Sequence, residues 1–247
     1  DFRGRERQTA GRKECISYLF RKHPMSFAAY SRAFETVQKH IRAGNTFLAN
    51  LTFPTPVETS LSLRDIYYGS TAKYKILVEN EFVCFSPETF VTIGKGRIAA
   101  FPMKGTRKVL SAASEKDLLE DEKEMAEHNT IVDLLRNDLG MVANDVKVDR
   151  FRYVERILTS DGELLQASSE ITGRLPASYR SELGDIFFAL LPAGSVTGAP
   201  KEKTLEVIRE AEKADRGYYT GVCGLFDGDN LDSAVLIRFI ENRNGTM

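Results

Sequence analysis

The sequence has few cysteines and no long apolar run, and each shortage excludes a class of protein. Its three cysteines, Cys15, Cys84 and Cys223, are far apart and lack metal-ligand spacing, so they indicate neither a disulfide framework nor a zinc site. No stretch approaches the ~18 apolar residues that a membrane-spanning helix needs, and no secretory signal opens the chain. We therefore expect a soluble protein of the reducing cytoplasm.

The chain also lacks an excess of charge of either sign. Lysine and arginine number 34 and aspartate and glutamate 35, which gives a formal net charge of -1. This balance removes the general electrostatic case for a nucleic-acid or anionic-membrane partner and favours a small-molecule substrate. The spacings of dinucleotide-binding and Walker phosphate loops are absent, so the sequence does not indicate a nucleotide.

Repeats, low-complexity segments and a convincing interdomain linker are likewise missing. With 247 residues, of which 42% are hydrophobic, the chain can bury a large core. We expect a single domain over residues 1–247. Because the sequence begins at Asp1 and stops just after a hairpin-like turn at 242–247, we expect that domain to be truncated at both ends.

The pattern of apolar residues predicts an α+β protein. Apolar residues recur at helical spacing over Phe27–Ala43, and a charged amphipathic run predicts the longest helix over 114–140. Segments rich in Val, Ile, Phe and Tyr predict strands, among them 82–93, 97–103 and 233–240. Strands and helices come in groups rather than in strict alternation, so we predict layered, mostly antiparallel sheets with helices outside.

Lys104 is a candidate nucleophile. The segment Phe101–Thr106 predicts a turn that closes an apolar strand and places this amine against flexible backbone. A lysine nitrogen is nucleophilic only when neutral, so its usual pKa of about 10.4 must be lowered by burial or by a nearby cation. A solvated surface lysine is the commoner alternative. A reactive lysine alone would also suit a Schiff-base lyase.

Three glutamates are candidates for acid–base or metal chemistry. Glu124 and Glu127 lie three residues apart on the predicted long helix, so both project from one side, next to His128. Oxygen ligands of this kind suit Mg²⁺, although a solvated acidic face is the alternative. Glu88 follows a strand interruption at Ser86-Pro87, where it is either a buried proton donor with a raised pKa or a turn-capping residue.

Two further segments predict contacts to an anion. The loop 191–201 combines two glycines, two hydroxyl side chains and a proline suited to a first helical turn. Main-chain N–H groups at such a helix N-terminus bind carboxylates or phosphates, although an ordinary capping loop explains the pattern equally well. Arg238 lies in the apolar run 235–240 and needs an anionic partner, from the protein or from a substrate.

Taken in order, these segments resemble the chorismate-utilising enzymes. The resemblance runs from about Phe27 to Ile240 and is carried by Ser86–Glu88, Pro102–Thr106, Ala126–His128, Ile131–Asp138, Gly194–Lys201, Arg216–Gly221 and Ile237-Arg238. It implies two sheets packed at a steep angle with outer helices, a Mg²⁺ ion, and chorismate held by its two carboxylates.

The resemblance also implies a role for each matched residue. Glu127 would bind Mg²⁺ with support from Glu124, and Glu88 would assist departure of the substrate 4-hydroxyl. Tyr219 and Arg238 would hold the enolpyruvyl carboxylate. His128 would also contact the substrate, since it matches a position associated in anthranilate synthases with loss of pyruvate. The ring side of the substrate would contact Gly105, Thr106, Ser195, Thr197 and Gly198.

The residue at position 104 distinguishes the branches of this family. Anthranilate synthases are similar but carry Ala there, whereas in aminodeoxychorismate synthases a lysine is the proposed covalent nucleophile. The isochorismate and salicylate branch needs a water-activating lysine where this chain has Leu48. The resemblance therefore implies synthesis of 4-amino-4-deoxychorismate, a precursor of p-aminobenzoate and folate. An anthranilate synthase or a catalytically inactive chorismate-binding homologue is the alternative.

The resemblance implies two further components. Ammonia would come from a separate glutamine amidotransferase subunit, because this chain has no Cys-His-Glu amidotransferase pattern. The glutamate pair that completes the Mg²⁺ site in the family would follow Met247. We expect residues 1–247 alone to be inactive for that reason.

Overall fold

The computed structural model describes residues 18–109, 114–159, 162–243 and 245–247, and they divide into two compact units. The first comprises the described residues up to Glu88 with Val196–Leu225 and Ala234–Met247, and the second comprises Thr89–Ser195 and Phe226–Ser233. Each unit is assembled from separate stretches of chain, so no linker in the sequence marks the division. The expected single domain over 1–247 stays a prediction.

The described residues form helices and strands along the whole chain. The helices are α1 (Phe27–Arg42), α2 (Leu63–Gly69), α3 (Ser114–Glu120), α4 (Glu122–Gly140), α5 (Leu183–Leu190), α6 (Gly194–Thr197) and α7 (Lys201–Glu212). The strands are β1 (Phe20–Lys22), β2 (Leu48–Ala49), β3 (Val57–Thr59), β4 (Tyr74–Val78), β5 (Phe82–Ser86), β6 (Thr89–Gly94), β7 (Arg97–Ala100), β8 (Met103–Lys108), β9 (Asn144–Thr159), β10 (Gly162–Arg174), β11 (Gly198–Ala199), β12 (Val222–Phe226), β13 (Leu231–Val235) and β14 (Phe239–Glu241).

In the first unit, α1 packs against α7, and the helix predicted over 27–43 is confirmed. Ala33 and Val37 of α1 form a buried cluster with Val207 and Ala211 of α7, and burial of these apolar groups stabilises the pair. The same unit holds an antiparallel sheet in the order β14-β5-β4 and two short antiparallel pairs, β1 with β3 and β2 with β11.

The second unit is built on a larger antiparallel sheet that contains β6, β7, β10 and β8 in that order. β10 is long enough to pair with β8 through its first half and with β7 through its second half, while β9 pairs along its other edge. α4 contacts β8, β9 and β10. The antiparallel sheets and grouped helices confirm the predicted α+β fold class.

Four predicted elements are each divided in two by a local feature. Asp121 ends the predicted long helix and caps a new one, α4, by accepting a hydrogen bond from the Glu124 N–H. Pro87, which has no N–H, separates β5 from β6, and Pro102 separates β7 from β8. The strand predicted over 233–240 is wrong as one element, because it ends at Val235 and β14 begins at Phe239.

The described cysteines, Cys84 and Cys223, carry free thiols, and Cys15 lies outside the described residues. Cys84 is buried in the apolar cluster around β5, and this burial raises the pKa of its thiol to about 12. The thiol is therefore a poor nucleophile. Within the part of the chain that the structure describes, no helix is both long and apolar enough to cross a bilayer.

Candidate active site

Lys104 lies on a β-bulge in the second unit. Met103 pairs with Ser168 of β10 and Thr106 pairs with Gln166, so Lys104 and Gly105 together stand opposite the single residue Ala167. An extra residue of this kind bends a strand and re-aims its side chains. The predicted turn around Lys104 is thus wrong in detail: the residue is half-buried and lies in a strand, at the bulge.

Gly105 makes the bulge possible. Its φ of 86° lies in the left-handed region, which residues with a Cβ rarely adopt. A Cβ at this position would stand 3.2 Å from Leu118 Cδ1 and 3.3 Å from Glu124 Oε2. The main chain beside Lys104 therefore lies directly against α3 and the first turn of α4, and the Glu124 carboxylate reaches the bulge. Thr106, the next residue, is exposed.

Glu124 and Glu127 lie on the first turns of α4, where Asp121 fixes the start of the helix. Both side chains are partly exposed, and Glu127 forms a weak ion pair with Lys123 at 3.8 Å. Among the described residues, no three His, Cys, Asp or Glu side chains converge as a metal site would require. The two glutamates are thus a pair of oxygen donors on one side of a helix, and their role as Mg²⁺ ligands stays a prediction.

His128 is fully buried one turn further along α4. Its Nε2 and Ser169 Oγ are 2.7 Å apart, and Ser169 Oγ also accepts the Arg152 N–H at 2.9 Å. The pKa of His128 is lowered to about 4, chiefly because burial disfavours the imidazolium and also because Arg152 repels it. The main chain of Lys104 acts in the opposite direction. The ring has no exposed surface in this structure, and the predicted contact of His128 with a substrate stays a prediction.

Ser195 lies apart from the bulge within the second unit. Gly194, which precedes it, is packed so closely against α4 that a Cβ there would stand 2.8 Å from Leu134 Cδ2 and 3.3 Å from Asp138 Oδ2. At a rise of about 1.5 Å per residue, these contacts are roughly 15–20 Å along the helix axis from Glu124. The structure therefore gathers Lys104, Gly105, Glu124 and His128 at one end of α4 and leaves Ser195 near the other.

In the first unit, the glycine-rich segment is held by its own backbone. The Thr197 carbonyl accepts the Asn50 N–H at 2.9 Å, and Gly198 pairs with Ala49. A Cβ on Gly198 would stand 1.9 Å from the Leu48 carbonyl oxygen, so a glycine is required for this strand contact. Thr197 is buried, and Pro200 takes the N-cap position of α7 rather than its first turn. The predicted anion-binding role of the loop stays a prediction.

Arg216, named above only as the first residue of the Arg216–Gly221 motif, anchors this segment. Its guanidinium forms two hydrogen bonds with the Glu212 carboxylate, at 2.9 and 2.6 Å, and donates to the carbonyls of Val196 at 2.8 Å and Asn50 at 2.6 Å. The buried Glu212 carboxylate also accepts the Thr52 N–H at 2.9 Å. Arg216 lies four residues beyond Glu212, the last residue of α7, and the chain between them is not helical, so no local pattern in the sequence marks the pair.

The remaining predicted residues of the first unit lie in connections between strands. Glu88 follows β5, its N–H donates to Ser86 Oγ, and its carbonyl accepts the Val235 N–H. Tyr219 lies in the turn after Arg216, with its hydroxyl 3.4 Å from Thr52 Oγ1. The strand placement of Arg238 is wrong: it has a φ of 60°, lies between β13 and β14, and its side chain is exposed, so no buried counterion is needed.

A family model described as chorismate binding enzyme matches residues 10–247. The chain therefore belongs to the chorismate-binding enzyme family. It is 52% identical over 221 residues to an uncharacterised PabA-like protein of Haemophilus influenzae. The aligned region covers 90% of this chain and 67% of that protein. The chain thus spans about two thirds of that relative's length.

More distant relatives have named activities in two branches of the family. The chain is 37% identical to an anthranilate synthase component 1 of Haloarcula marismortui, covering 86% of this chain and 46% of the relative. It is 31% identical to the aminodeoxychorismate synthase component 1 of Bacillus subtilis, covering 90% and 49%. The crystal structure of anthranilate synthase component I from Streptococcus pneumoniae matches with a TM-score of 0.75 at 27% identity, covering 93% and 52%.

Proposed function

We propose that this chain is part of an aminodeoxychorismate synthase component I, which replaces the 4-hydroxyl of chorismate by an amino group. One observation carries the proposal: Lys104, inside a family motif, is placed on a bulge whose glycine is pressed against α4. The relative in Bacillus subtilis that bears this name supports the assignment. The membership of the family supports chorismate as the substrate.

The proposed reaction has two displacements at the ring. Neutral Lys104 Nζ attacks C2, both double bonds of the ring diene shift, and the 4-hydroxyl leaves as water after taking a proton from Glu88. Ammonia then adds at C4, both double bonds shift back, and the C2–N bond breaks with its electron pair going to nitrogen, which releases neutral Lys104. The ammonium formed at C4 gives a proton to the Glu88 carboxylate, so both Lys104 and Glu88 are regenerated. The sum is chorismate and ammonia giving aminodeoxychorismate and water.

Glu124 and Glu127 are the residues that we propose hold Mg²⁺. Their fit to the ion rests on the donor set, since Mg²⁺ is commonly held by one or two carboxylates and completes its shell with water and substrate oxygens. When bound, Mg²⁺ supplies charge neutralisation at the substrate carboxylate. The capping bond from Glu124 N–H to Asp121 fixes the helix turn from which both carboxylates project. Tyr219 and Arg238 are proposed to bind the enolpyruvyl carboxylate.

The proposal also includes a partner and a compartment. A separate glutamine amidotransferase subunit would release the ammonia, as the component naming of the relatives supports. A cytoplasmic location is proposed because free thiols at Cys84 and Cys223 suit a reducing environment.

Product analysis tests the proposed function. The full-length protein is incubated with chorismate, MgCl₂ and a high concentration of ammonium chloride, and the products are separated by liquid chromatography and identified by mass spectrometry. We expect aminodeoxychorismate from the parent and none from Lys104→Ala. Lys108→Ala, an exposed lysine on the same strand, is the matched control and should retain the parent rate.

Anthranilate synthesis is the second candidate, and the match to the Streptococcus pneumoniae structure favours it. That reaction needs no lysine nucleophile, so a Lys104→Ala variant would still consume chorismate. Anthranilate as the sole product of the parent would reject the first proposal. Tight binding of chorismate without any product would instead indicate an inactive homologue.

A further inference from the structure

His128 and Ser169 form a buried link between α4 and the sheet. Ser169 lies on β10 close to two bulges: Lys104 and Gly105 stand opposite Ala167 on one edge, and Phe151 and Arg152 of β9 stand opposite Ser169 on the other. The Ser169 N–H donates to the Pro102 carbonyl at 2.9 Å, two residues before Lys104. Ser169 is therefore bonded to the chain that leads into the bulge.

The two ring nitrogens of His128 have different surroundings. Nε2 lies within hydrogen-bonding distance of Ser169 Oγ, which also accepts the Arg152 N–H. Nδ1 is buried and has no hydrogen-bond partner among the described residues. The hydrogen bond of the ring therefore goes to Ser169 and, through the Ser169 N–H, to the chain that leads into the bulge.

We propose that His128 is a positioning residue for Lys104. The ring bonds Ser169, whose N–H bonds the Pro102 carbonyl, and it thereby fixes the chain that leads into the bulge carrying Lys104. The effect expected on kcat rests on the proposed function. The effect expected on the structure of the bulge does not. It assigns His128 a different role from direct contact with the substrate, for which the ring has no exposed surface.

The geometry explains why a histidine suits this position. His128 lies in the interior of the second unit, between α4 and a sheet whose regular pairing is interrupted on both edges of β10. Interrupted pairing leaves main-chain polar groups without ladder partners, and in the interior each such group needs another partner. A ring nitrogen of the neutral imidazole can bond Ser169 Oγ, and Ser169 itself accepts the Arg152 N–H on one edge and donates to the Pro102 carbonyl on the other.

Three substitutions in the full-length protein test the inference. His128→Phe keeps an aromatic ring and removes both nitrogens, His128→Gln keeps one amide within reach of Ser169, and Ser169→Ala removes the hydroxyl alone. His40→Phe is the matched control, because His40 also bonds through both ring nitrogens, to Asn45 and Glu210, but lies in the first unit.

Two readouts are used. Hydrogen–deuterium exchange of a peptide spanning 101–109 reports the bulge, with a peptide spanning 74–86 as internal reference. Steady-state kinetics with chorismate and ammonium report positioning. We expect faster exchange at 101–109 and a fall in kcat of about tenfold or more for His128→Phe, with KM within about twofold, because a misplaced catalytic group lowers kcat rather than affinity. His128→Gln and Ser169→Ala should give smaller effects of the same kind, and His40→Phe none.

The outcomes separate this inference from the proposed function. Unchanged exchange at 101–109 in His128→Phe overturns the inference, as does a rise in KM with kcat unchanged, which would show substrate contact instead. If His128→Phe does not fold, exchange in Ser169→Ala and His128→Gln decides, and parent-like exchange in both overturns it. If the parent makes no product, the proposed function fails while the exchange experiment still tests the role of His128.

Discussion

The direction of the Lys104 side chain is a property of its main chain. A lysine at the second position of a regular strand would alternate in and out of the sheet with its neighbours. The bulge breaks this alternation, and it is stabilised by the left-handed φ of Gly105 and by the hydrogen bond between Ser169 and Pro102. The chemical function assigned to one residue therefore depends on a glycine that has no chemistry of its own.

Replacing Gly105 by alanine should both destabilise the protein and slow it. The left-handed φ costs a residue with a Cβ about 1–2 kcal/mol, and the new methyl group would press on Leu118 and Glu124. We expect the free energy of unfolding in urea to fall by more than this strain alone, with a loss of chorismate turnover.

Gly96→Ala is the matched control for that change. Gly96 has a φ of 73°, yet no atom would lie within 4 Å of its Cβ, so its substitution measures the backbone strain without the clash. Equal losses of stability in the two variants would contradict the close packing of Gly105 against α4.

At the residue scale, the sequence predicts which residues belong to the site better than it predicts the structure around them. The motif around Lys104 pointed to the correct lysine and glycine, since those letters are visible in the chain. The bulge was not predictable, because it depends on which residue of β10 pairs with which residue of β8. The strand predicted at Arg238 was wrong for a related reason. Its apolar neighbours are typical of a strand, and nothing in the local sequence shows that the chain turns there, at a φ of 60°.

At the scale of elements, Arg216 and Glu212 link the end of α7 to two other segments. The pair joins α7 to the Val196 carbonyl, the Asn50 carbonyl and the Thr52 N–H. Its side chains are 17% and 3% exposed, so the ion pair is largely shielded from solvent. The segment that contains Thr197 and Gly198 is thereby fixed relative to the turn that contains Tyr219.

Glu212→Ala should destabilise the first unit strongly. The substitution leaves the Arg216 guanidinium without its carboxylate and the Thr52 N–H without its acceptor, and breaking a buried pair in this way costs about 3–5 kcal/mol. Urea unfolding measures the loss. Glu206→Ala, on the same helix, is the control, because its ion pair with Lys203 is exposed and its removal should have no measurable effect. Similar losses in the two variants would show that the buried network is unimportant.

Helix and strand positions were largely predictable, whereas their ends were not. The period of apolar residues located α1 and the α3–α4 region, since periodicity survives over many residues. The break at Asp121 was missed because a capping carboxylate in a run of acidic residues looks like any other acidic residue. Whether such a residue caps a helix depends on the backbone around it.

At the scale of the whole molecule, two compact units come from interleaved stretches of one chain. No composition change accompanies the crossings at 88–89, 195–196, 225–226 and 233–234, so sequence reasoning had no boundary to detect. The family resemblance, in contrast, extended over nearly the whole chain, and the match over residues 10–247 confirms it. Motifs in a fixed order can be recognised along the sequence, whereas the boundaries of the two units have no local sequence signal.

The source of ammonia can be tested on the intact protein. If, as proposed, a separate subunit supplies the ammonia, high ammonium should support turnover of chorismate by the purified full-length protein and glutamine alone should not. The described thiols give no alternative source, because burial raises the pKa of both Cys84 and Cys223. Addition of the cognate glutamine amidotransferase should restore the reaction with glutamine. Turnover with glutamine and no second protein would contradict this division of labour.

The central claim is that Lys104 bonds covalently to the substrate ring, and peptide mapping tests it most directly. The full-length protein is mixed with chorismate and MgCl₂ without ammonium, quenched in acid, digested and analysed by tandem mass spectrometry. The account predicts an adduct of chorismate minus one water on Lys104, lost when ammonium is added before the quench. Formation of aminodeoxychorismate at the parent rate by Lys104→Ala, or an adduct on another residue in its place, would contradict it.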